Sequence, residues 1–273
     1  MRKHLSALII VLLLLTSCGK NESPTEEHLK KGSDFVLNDD LVNGEKEYRL
    51  AINADAKNWR AYYGLATIAE NNGNLQTALL DLDTAIKINP RFTLGYYSRA
   101  SVQDLLGNDK GGMKDLKTAI ASKKDFFLAI FIKGRREYSE GNFKQAISDF
   151  TDAIKLNPGY YMPYSLRGTC YYHQGDMNSA LADYNMEVKL NPDHTMGYLN
   201  RGVANGEQKN YAAAIQDMDN ANRIDPTLSQ AYLYKGLFYT KMGKKDSACY
   251  NLTLAQKLKN PQADAYIKQV CGK

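Results

Sequence analysis

The chain repeats itself every 34 residues, and this period constrains the fold more than any other feature. Four of the prolines that follow Asn or Asp stand at positions 90, 158, 192 and 226, so that successive members lie 68, 34 and 34 residues apart. Placing this proline at position 32 of a unit divides the chain into seven frames. The frames are 25–58, 59–92, 93–126, 127–160, 161–194, 195–228 and 229–262.

Positions that play no part in setting the frame also line up. Positions 8 and 20 are always Gly or Ala, position 24 is always large, and position 27 is Ala in six of seven units, with Glu187 as the exception. Position 15 is Gly in five units. Apolar residues at helical spacing on both sides of a glycine turn predict a helical hairpin, and small residues at 8 and 20 let its helices approach closely. Because one hairpin cannot bury both of its faces, neighbouring hairpins must stack.

This pattern of small residues at 8, 20 and 27, a bulky residue at 24 and Pro at 32 resembles the tetratricopeptide repeat. The resemblance implies an all-α, right-handed α-solenoid over residues 25–262, in which the first helices of the repeats line a concave groove. Residues 263–273 carry apolar side chains at helical spacing, and we expect them to form a capping helix that covers the last repeat.

The resemblance also locates a groove, since positions 2, 5, 9, 12 and 13 of the first helix form its wall in this family. An apolar, aromatic and methionine-bearing strip suits the docking of a peptide or a partner helix. Alternatively, several of these side chains pack between neighbouring first helices, above all those at position 5. The Lys and Asn of a carboxylate-clamp repeat are absent from positions 5 and 9, which argues against recognition of an acidic C-terminal tail in that mode. The candidate groove residues are Tyr63, Leu94, Tyr97, Leu128, Phe131, Arg135, Tyr138, Met162, Thr169, Tyr172, Met196, Leu199 and Leu233.

A basic column at position 7 and an acidic column at position 23 run through the repeats. Position 7 is Lys or Arg in six units and Leu65 in the second, whereas position 23 is acidic in six units and Asn251 in the last. Pairing each acid with the base of the next unit leaves only Glu47 without a basic partner, while pairing within units leaves Asp81 and Lys235 unmatched. We therefore expect ion pairs between repeats, with two independently solvated rows of charge as the alternative.

The third repeat, residues 93–126, is predicted to be the least stable. Its second helix contains Gly111 and Gly112, Asp109 stands where other units mostly carry a large apolar residue, and Lys124 replaces the proline. Each glycine inside a helix costs about 0.5–1 kcal/mol relative to alanine. Hydrogen exchange should therefore show this helix opening first, and protection equal to that of repeat five would contradict the prediction.

Residues 1–17 have the layout of an export signal. Arg2 and Lys3 precede an apolar run over residues 5–15, which is too short to cross a hydrocarbon core that needs about 20 helical residues. Leu15-Thr16-Ser17-Cys18 resembles a bacterial lipobox, which implies that Cys18 is lipidated and that residues 18–24 form a tether; an ordinary signal peptide is the alternative. The repeats would then lie outside the cytoplasm, anchored by lipid to a bacterial membrane, the outer membrane in a Gram-negative organism.

The sequence contains no pattern that predicts catalysis, a metal or a cofactor. His28, His173 and His194 fall at different positions of separate repeats, and phosphate- and dinucleotide-binding motifs are absent. The formal charge of +5 becomes 33 − 30 = +3 without Arg2 and Lys3, and these charges are spread along the chain, which does not indicate nucleic acid.

Two cysteines of the last repeat and the cap could form a disulfide. Cys249 lies in the second helix of repeat seven, and Cys271 lies near the end of the predicted cap. In an oxidising compartment a bond between them would hold the cap in place; two free thiols are the alternative.

We interpret the chain as a membrane-anchored, non-catalytic scaffold of the bacterial cell envelope that binds a protein or peptide partner. This interpretation includes no cofactor, small-molecule substrate or nucleic acid. The alternatives are a self-associating structural component and the regulatory subunit of an envelope enzyme such as a cell-wall hydrolase. Since no non-repeat segment after Cys18 exceeds eleven residues, an enzyme is disfavoured.

Overall fold

The computed structural model describes residues 23–272, which fold into fifteen α-helices and contain no β-strand. The predicted signal and Cys18 lie outside the described residues. The predicted all-α repeat fold is confirmed. The helices are α1 (Pro24–Leu37), α2 (Leu41–Ala54), α3 (Trp59–Asn71), α4 (Leu75–Ile88), α5 (Thr93–Leu105), α6 (Asp109–Ser122), α7 (Phe127–Ser139), α8 (Phe143–Leu156), α9 (Tyr161–His173), α10 (Met177–Leu190), α11 (Thr195–Glu207), α12 (Tyr211–Ile224), α13 (Ser229–Lys241), α14 (Lys245–Lys257) and α15 (Ala263–Cys271).

The first helix begins one residue before the predicted start of repeat one. Ser23 is its N-cap, and the Ser23 hydroxyl accepts a hydrogen bond from the backbone N–H of Glu26 at 3.3 Å. Pro24 occupies the first turn, where a missing N–H costs nothing because that group has no intrahelical partner. Two residues of the predicted tether therefore belong to the helix and its cap.

Within each hairpin, small residues allow the two helices to approach. A Cβ placed on Gly168 of α9 would lie only 2.9 Å from the ring of Tyr184 on α10, so this crossing requires glycine. Repeat two carries Ala66 at the same position and the smaller Leu82 opposite, and both side chains are buried. The residue pair at positions 8 and 24 thus sets how closely the helices pack.

Left-handed backbone conformations end the first helices. Gly73, Gly107, Gly141, Gly175 and Gly243 have φ between +72° and +80°, which glycine adopts without steric cost. Asp39 and Lys209 take the same role in repeats one and six, with φ of 62° and 63°. The glycines at position 15 are thereby explained by the turn.

The chain divides into two compact units, the first ending at Ala129 and the second starting at Ile130. The core of the first unit includes Leu29, Tyr48 and Leu82. The second unit contains a cluster around Met218 and Phe238, beside smaller clusters. In each unit, the buried stripe of one helix pair packs against the next pair, as stacked repeats require.

The acidic and basic columns pair within repeats, so our expectation of pairing between repeats is wrong. The Arg167 guanidinium donates two hydrogen bonds to the Asp183 carboxylate, from Nε at 2.8 Å and from Nη2 at 2.7 Å. The reason is geometric: positions 7 and 23 face each other across one hairpin. The pairs are Arg99–Asp115, Lys133–Asp149, Arg167–Asp183 and Arg201–Asp217.

Ion pairs between the basic column and the preceding repeat are formed instead by acidic residues at position 25. Arg99 Nη1 bonds Asp83 of the preceding repeat at 2.7 Å, and Lys235, which has no acid opposite it, pairs with Asp219. In repeat two, Leu65 stands opposite Asp81, and the described residues place no ion pair on that carboxylate. Burial raises the pKa of Asp81 to about 6, and Arg49 opposes the shift. The ladder of ion pairs within repeats therefore runs from repeat three to repeat six.

Helix α15 packs against the last repeat. Ala263 and Ile267 are buried in one cluster with Leu252. Cys249 and Cys271 are joined by a disulfide with an S–S distance of 2.03 Å, which fixes the end of α15 to α14. This bond closes a loop in the unfolded chain and so favours the packed helix.

Candidate partner-binding face

The predicted groove residues separate into buried and exposed sets. Four of them have side chains that pack between helices, with exposed fractions of 5% for Tyr63, 3% for Phe131, 2% for Leu199 and 2% for Leu233. All four stand at position 5, where packing between first helices is the alternative that the sequence leaves open. These four side chains therefore support the packing of the helices and offer no contact area to a partner.

In the first unit, the remaining candidates are half-buried. Leu94, Tyr97 and Leu128 keep part of their surface accessible. The ring of Tyr97 meets that of Phe126 edge-on, with centroids 5.4 Å apart. Burial raises the pKa of Tyr63 to about 12, in keeping with its place in the core. None of the groove positions predicted in this unit is fully exposed.

In the second unit, the exposed candidates form what we call the second-unit face, defined by Arg135, Met162 and Met196 with the half-buried Tyr138, Thr169 and Tyr172. Met162 and Met196 stand at position 2 of successive first helices and are 38% and 42% exposed. Large apolar side chains with so much exposed surface are typical of sites that contact another molecule.

Aromatic contacts hold the exposed side chains of this face in place. The Tyr160 hydroxyl lies 2.6 Å from the sulfur of Met162, and the ring of Tyr160 meets that of Phe131 edge-on at 5.5 Å. The Arg135 guanidinium lies 5.9 Å from the centroid of Phe131, within cation–π range. Met162 and Arg135 are therefore supported by buried or half-buried rings.

A second aromatic group lies at the other end of these first helices. The ring of His173 stacks on Phe143 with centroids 4.9 Å apart, and Tyr138 and Tyr172 adjoin this pair at 5.9 and 6.0 Å. Burial raises the pKa of Tyr172. His173 thus lies beside Tyr138 and Tyr172 of the second-unit face and adds an exposed ring to it.

The structure also brings together three polar residues that the groove prediction missed. Glu187 is fully buried, and its Oε1 lies 2.7 Å from Nδ1 of His194, the N-cap residue of α11. The hydroxyl of Ser165 on α9 faces the same carboxyl. Two signals were available in the sequence: Glu187 interrupts a column of alanines, and Ser165 interrupts a column of large apolar residues. Nothing in the sequence links these two residues to His194; only the structure shows that they lie near it.

The other chemistry-bearing residues have structural explanations. Cys170 is buried as a free thiol, and burial raises its pKa to about 12. No three His, Cys, Asp or Glu side chains in the described part of the chain converge as metal ligands would. Between residues 23 and 272, no helix is long and apolar enough to span a bilayer.

Stacked helical hairpins of this length define a class of α-helical repeat proteins, and the comparisons with known proteins identify the family. A tetratricopeptide repeat model matches residues 31–91 and 133–195. The predicted family is confirmed: the chain is a tetratricopeptide repeat protein. Proteins of this family bind protein or peptide partners, so the fold indicates a protein–protein interaction scaffold.

Solved structures show the same fold at low sequence identity. The C-terminal part of a tetratricopeptide repeat protein from Cytophaga hutchinsonii is 16% identical with a TM-score of 0.72, over 86% of this chain and 98% of that one. One from Parabacteroides merdae is 19% identical with a TM-score of 0.62, over 91% and 99%. YrrB, described as having an unusual peptide-binding site, is 20% identical with a TM-score of 0.59, over 67% and 95%.

The curated relatives are much longer than the matched segments. Protein bimA of Emericella nidulans is 32% identical over 78 residues, which are 27% of this chain and 10% of that protein. A DnaJ homolog of Rattus norvegicus, subfamily C member 3, is 30% identical over 99 residues, or 34% and 19%. The chain thus spans a tenth to a fifth of these relatives.

Proposed function

We propose that this protein is a lipid-anchored adaptor of the bacterial cell envelope, without catalytic activity, that binds a peptide or helix of a partner protein on the second-unit face. The observation that carries the proposal is the pair Met162 and Met196, which stand at one position of successive first helices with 38% and 42% of their surface exposed. Because the two methionines stand at the same position of adjacent repeats, one apolar segment that lies across both first helices would touch both side chains. YrrB, a structural neighbour with a described peptide-binding site, supports this use of the fold.

The lipid anchor rests on the sequence alone. A basic start, a short apolar run and the lipobox-like segment ending in Cys18 support export and lipidation. Stable anchoring needs more than one acyl chain, as a lipidated cysteine of this kind carries. Replacing Cys18 with Ser should move the protein from the membrane fraction to the soluble fraction, and retention in the membrane would contradict lipidation at Cys18.

Site-specific cross-linking in intact cells tests the binding face. A photo-reactive residue at Met196 should capture one partner, whereas the same residue at Tyr250, which is 66% exposed on the second helix α14, should not. A synthetic peptide of the captured segment should then bind the purified protein. The paired variant Met162→Glu and Met196→Glu should weaken that binding at least about tenfold, because it places charge on apolar contact area.

Two outcomes would contradict the proposal. Capture from Tyr250 but not from Met196 would move the interface to the second helices. Sedimentation that shows concentration-dependent self-association, abolished by Tyr250→Glu but not by changes at the methionines, would favour a self-associating structural component instead.

A further inference from the structure

We infer that Ser165, Glu187 and His194 form a polar subsite on the second-unit face, at which the His194 imidazole donates a hydrogen bond to a carboxylate of the partner segment. This inference rests on the proposed function and specifies the chemistry of the partner: an acidic side chain with apolar neighbours.

The three residues depart together from the pattern of the other repeats. Position 5 is Leu, Tyr or Phe in the six other units and Ser165 here, and position 27 is Ala in the six others and Glu187 here. Position 34 is histidine only at His194. A buried carboxylate in place of an alanine weakens a core unless it is fully paired. Packing alone therefore does not account for the change.

The carboxyl of Glu187 is only partly satisfied. Its Oε1 contacts His194 Nδ1 at 2.7 Å, but its buried Oε2 has no hydrogen-bond partner among the described residues. Glycine at 197 leaves room for this group, since a Cβ there would lie 3.1 Å from the carboxyl carbon. The repeat thus retains a costly buried acid directly behind the histidine.

The number of protons shared by Glu187 and His194 determines whether Nε2 of His194 can donate a hydrogen bond. Burial raises the pKa of Glu187, and the contact with His194 and the nearby Ser165 hydroxyl oppose that shift. Because Glu187 is fully buried and its Oε2 has no partner among the described residues, a bare carboxylate beside an uncharged ring is disfavoured. We therefore take the pair to share two protons, either as carboxylate and imidazolium or as carboxylic acid and neutral imidazole. In both arrangements Nε2 carries a hydrogen and points away from Glu187. The side chain of His194 is 33% exposed, which lets a partner reach the ring.

The surroundings of His194 favour an anionic acceptor with apolar neighbours. His194 is the N-cap of α11, and no side chain caps that helix, so the positive end of the helix dipole faces the same region. The ring of Tyr161 lies 5.0 Å from the imidazole, and the exposed Met162 and Met196 follow Tyr161 and His194 closely in the chain. A carboxylate can thus meet the N–H while neighbouring apolar side chains contact the methionines.

Two other histidines show what is particular to this pair. His28 pairs with Glu47, but Glu47 stands at position 23, where six of the seven repeats carry an acid. His173 stacks on Phe143 and is exposed. Neither is backed by a fully buried acid at an alanine position, and His28, which lies in repeat one and outside the second-unit face, provides an internal reference for measurements on His194.

A double-mutant cycle with a selected peptide tests the subsite. Dodecapeptides are selected from a random displayed library on the purified protein, and those whose binding is lost in Met162→Glu are kept. Changing the acidic residue of such a peptide to its amide should weaken binding to the unaltered protein about tenfold, the effect of one charge-assisted hydrogen bond. The same change should have no effect on binding to His194→Ala and a reduced effect on binding to Glu187→Ala, which keeps the imidazole but removes the acid behind it. The second variant restores the alanine of the six other repeats, so it is expected to fold, which thermal melting checks.

Nitrogen NMR of the histidine rings gives an independent readout. Addition of the acidic peptide should shift Nε2 of His194 and leave the ring nitrogens of His28, in repeat one, unchanged. If Met162-dependent peptides bind equally well as acid and amide, or lose the same affinity in His194→Ala, the subsite is wrong and the proposed function stands. If no peptide depends on Met162, the proposed function fails and the subsite fails with it.

Discussion

Repeat two, residues 59–92, and repeat five, residues 161–194, form the same helix–turn–helix but fill three shared positions differently. At position 7, repeat two carries Leu65 and repeat five carries Arg167, which binds Asp183. At position 8 they carry Ala66 and Gly168, and at position 27 Ala85 and Glu187. At these positions repeat two carries only apolar side chains, whereas repeat five carries a bidentate ion pair and a buried acid. The same hairpin thus accommodates either apolar or polar side chains at these positions.

The strongest test of this contrast removes the cation of repeat five. Arg167→Ala should lower the free energy of unfolding by about 3–5 kcal/mol, because it leaves the buried Asp183 without its partner. Urea denaturation followed by circular dichroism measures the loss. The matched control is Lys155→Ala, which removes an exposed pair with Asp152 and should cost less than about 0.5 kcal/mol. Equal losses would mean that burial adds nothing to the pair.

A smaller effect is expected where the helices cross. Gly168→Ala should destabilise repeat five by about 1–3 kcal/mol, because the new methyl group would lie 2.9 Å from the Tyr184 ring. Adding Tyr184→Leu, which reproduces the alanine and leucine of repeat two, should recover part of that loss. Thermal melts of both single variants and the double variant measure the coupling; strictly additive losses would show that these two positions do not constrain each other.

The smallest effect concerns the unpaired acid of repeat two. Burial raises the pKa of Asp81 to about 6, above its value of about 3.9 in an unfolded chain, so the folded state binds the proton more tightly. The stability that Asp81 contributes is present below about pH 4 and is lost as the pH rises through 6. Asp81→Asn should therefore gain stability relative to the unaltered protein over that range, by about 1 kcal/mol after allowance for the partial exposure of the side chain. Denaturation curves at pH 4, 5, 6 and 7 follow the difference, and a constant difference would contradict the shifted pKa.

Much of the fold could be predicted because the same weak sequence signals recur at the same positions of every repeat. One glycine or one proline says little, but small residues recurring at 8 and 20 in seven units leave few structures other than stacked hairpins. The candidate face could be predicted only in outline. Phe131 and Leu199 look like contact residues in the sequence, yet neighbouring helices cover them, and a side chain's exposure depends on what packs over it.

The 34-residue period by itself determined the helix pairs, their turns and the family, since these follow from local backbone preferences and from the need to cover one face of each hairpin. Tertiary structure alone decided which charges pair and which side chains remain accessible. Arg167 meets Asp183 and not an acid of the neighbouring repeat because helix crossing places positions 7 and 23 opposite each other. Ser165, Glu187 and His194 lie in different helices or caps, and only the packing of α9, α10 and α11 places them near one another.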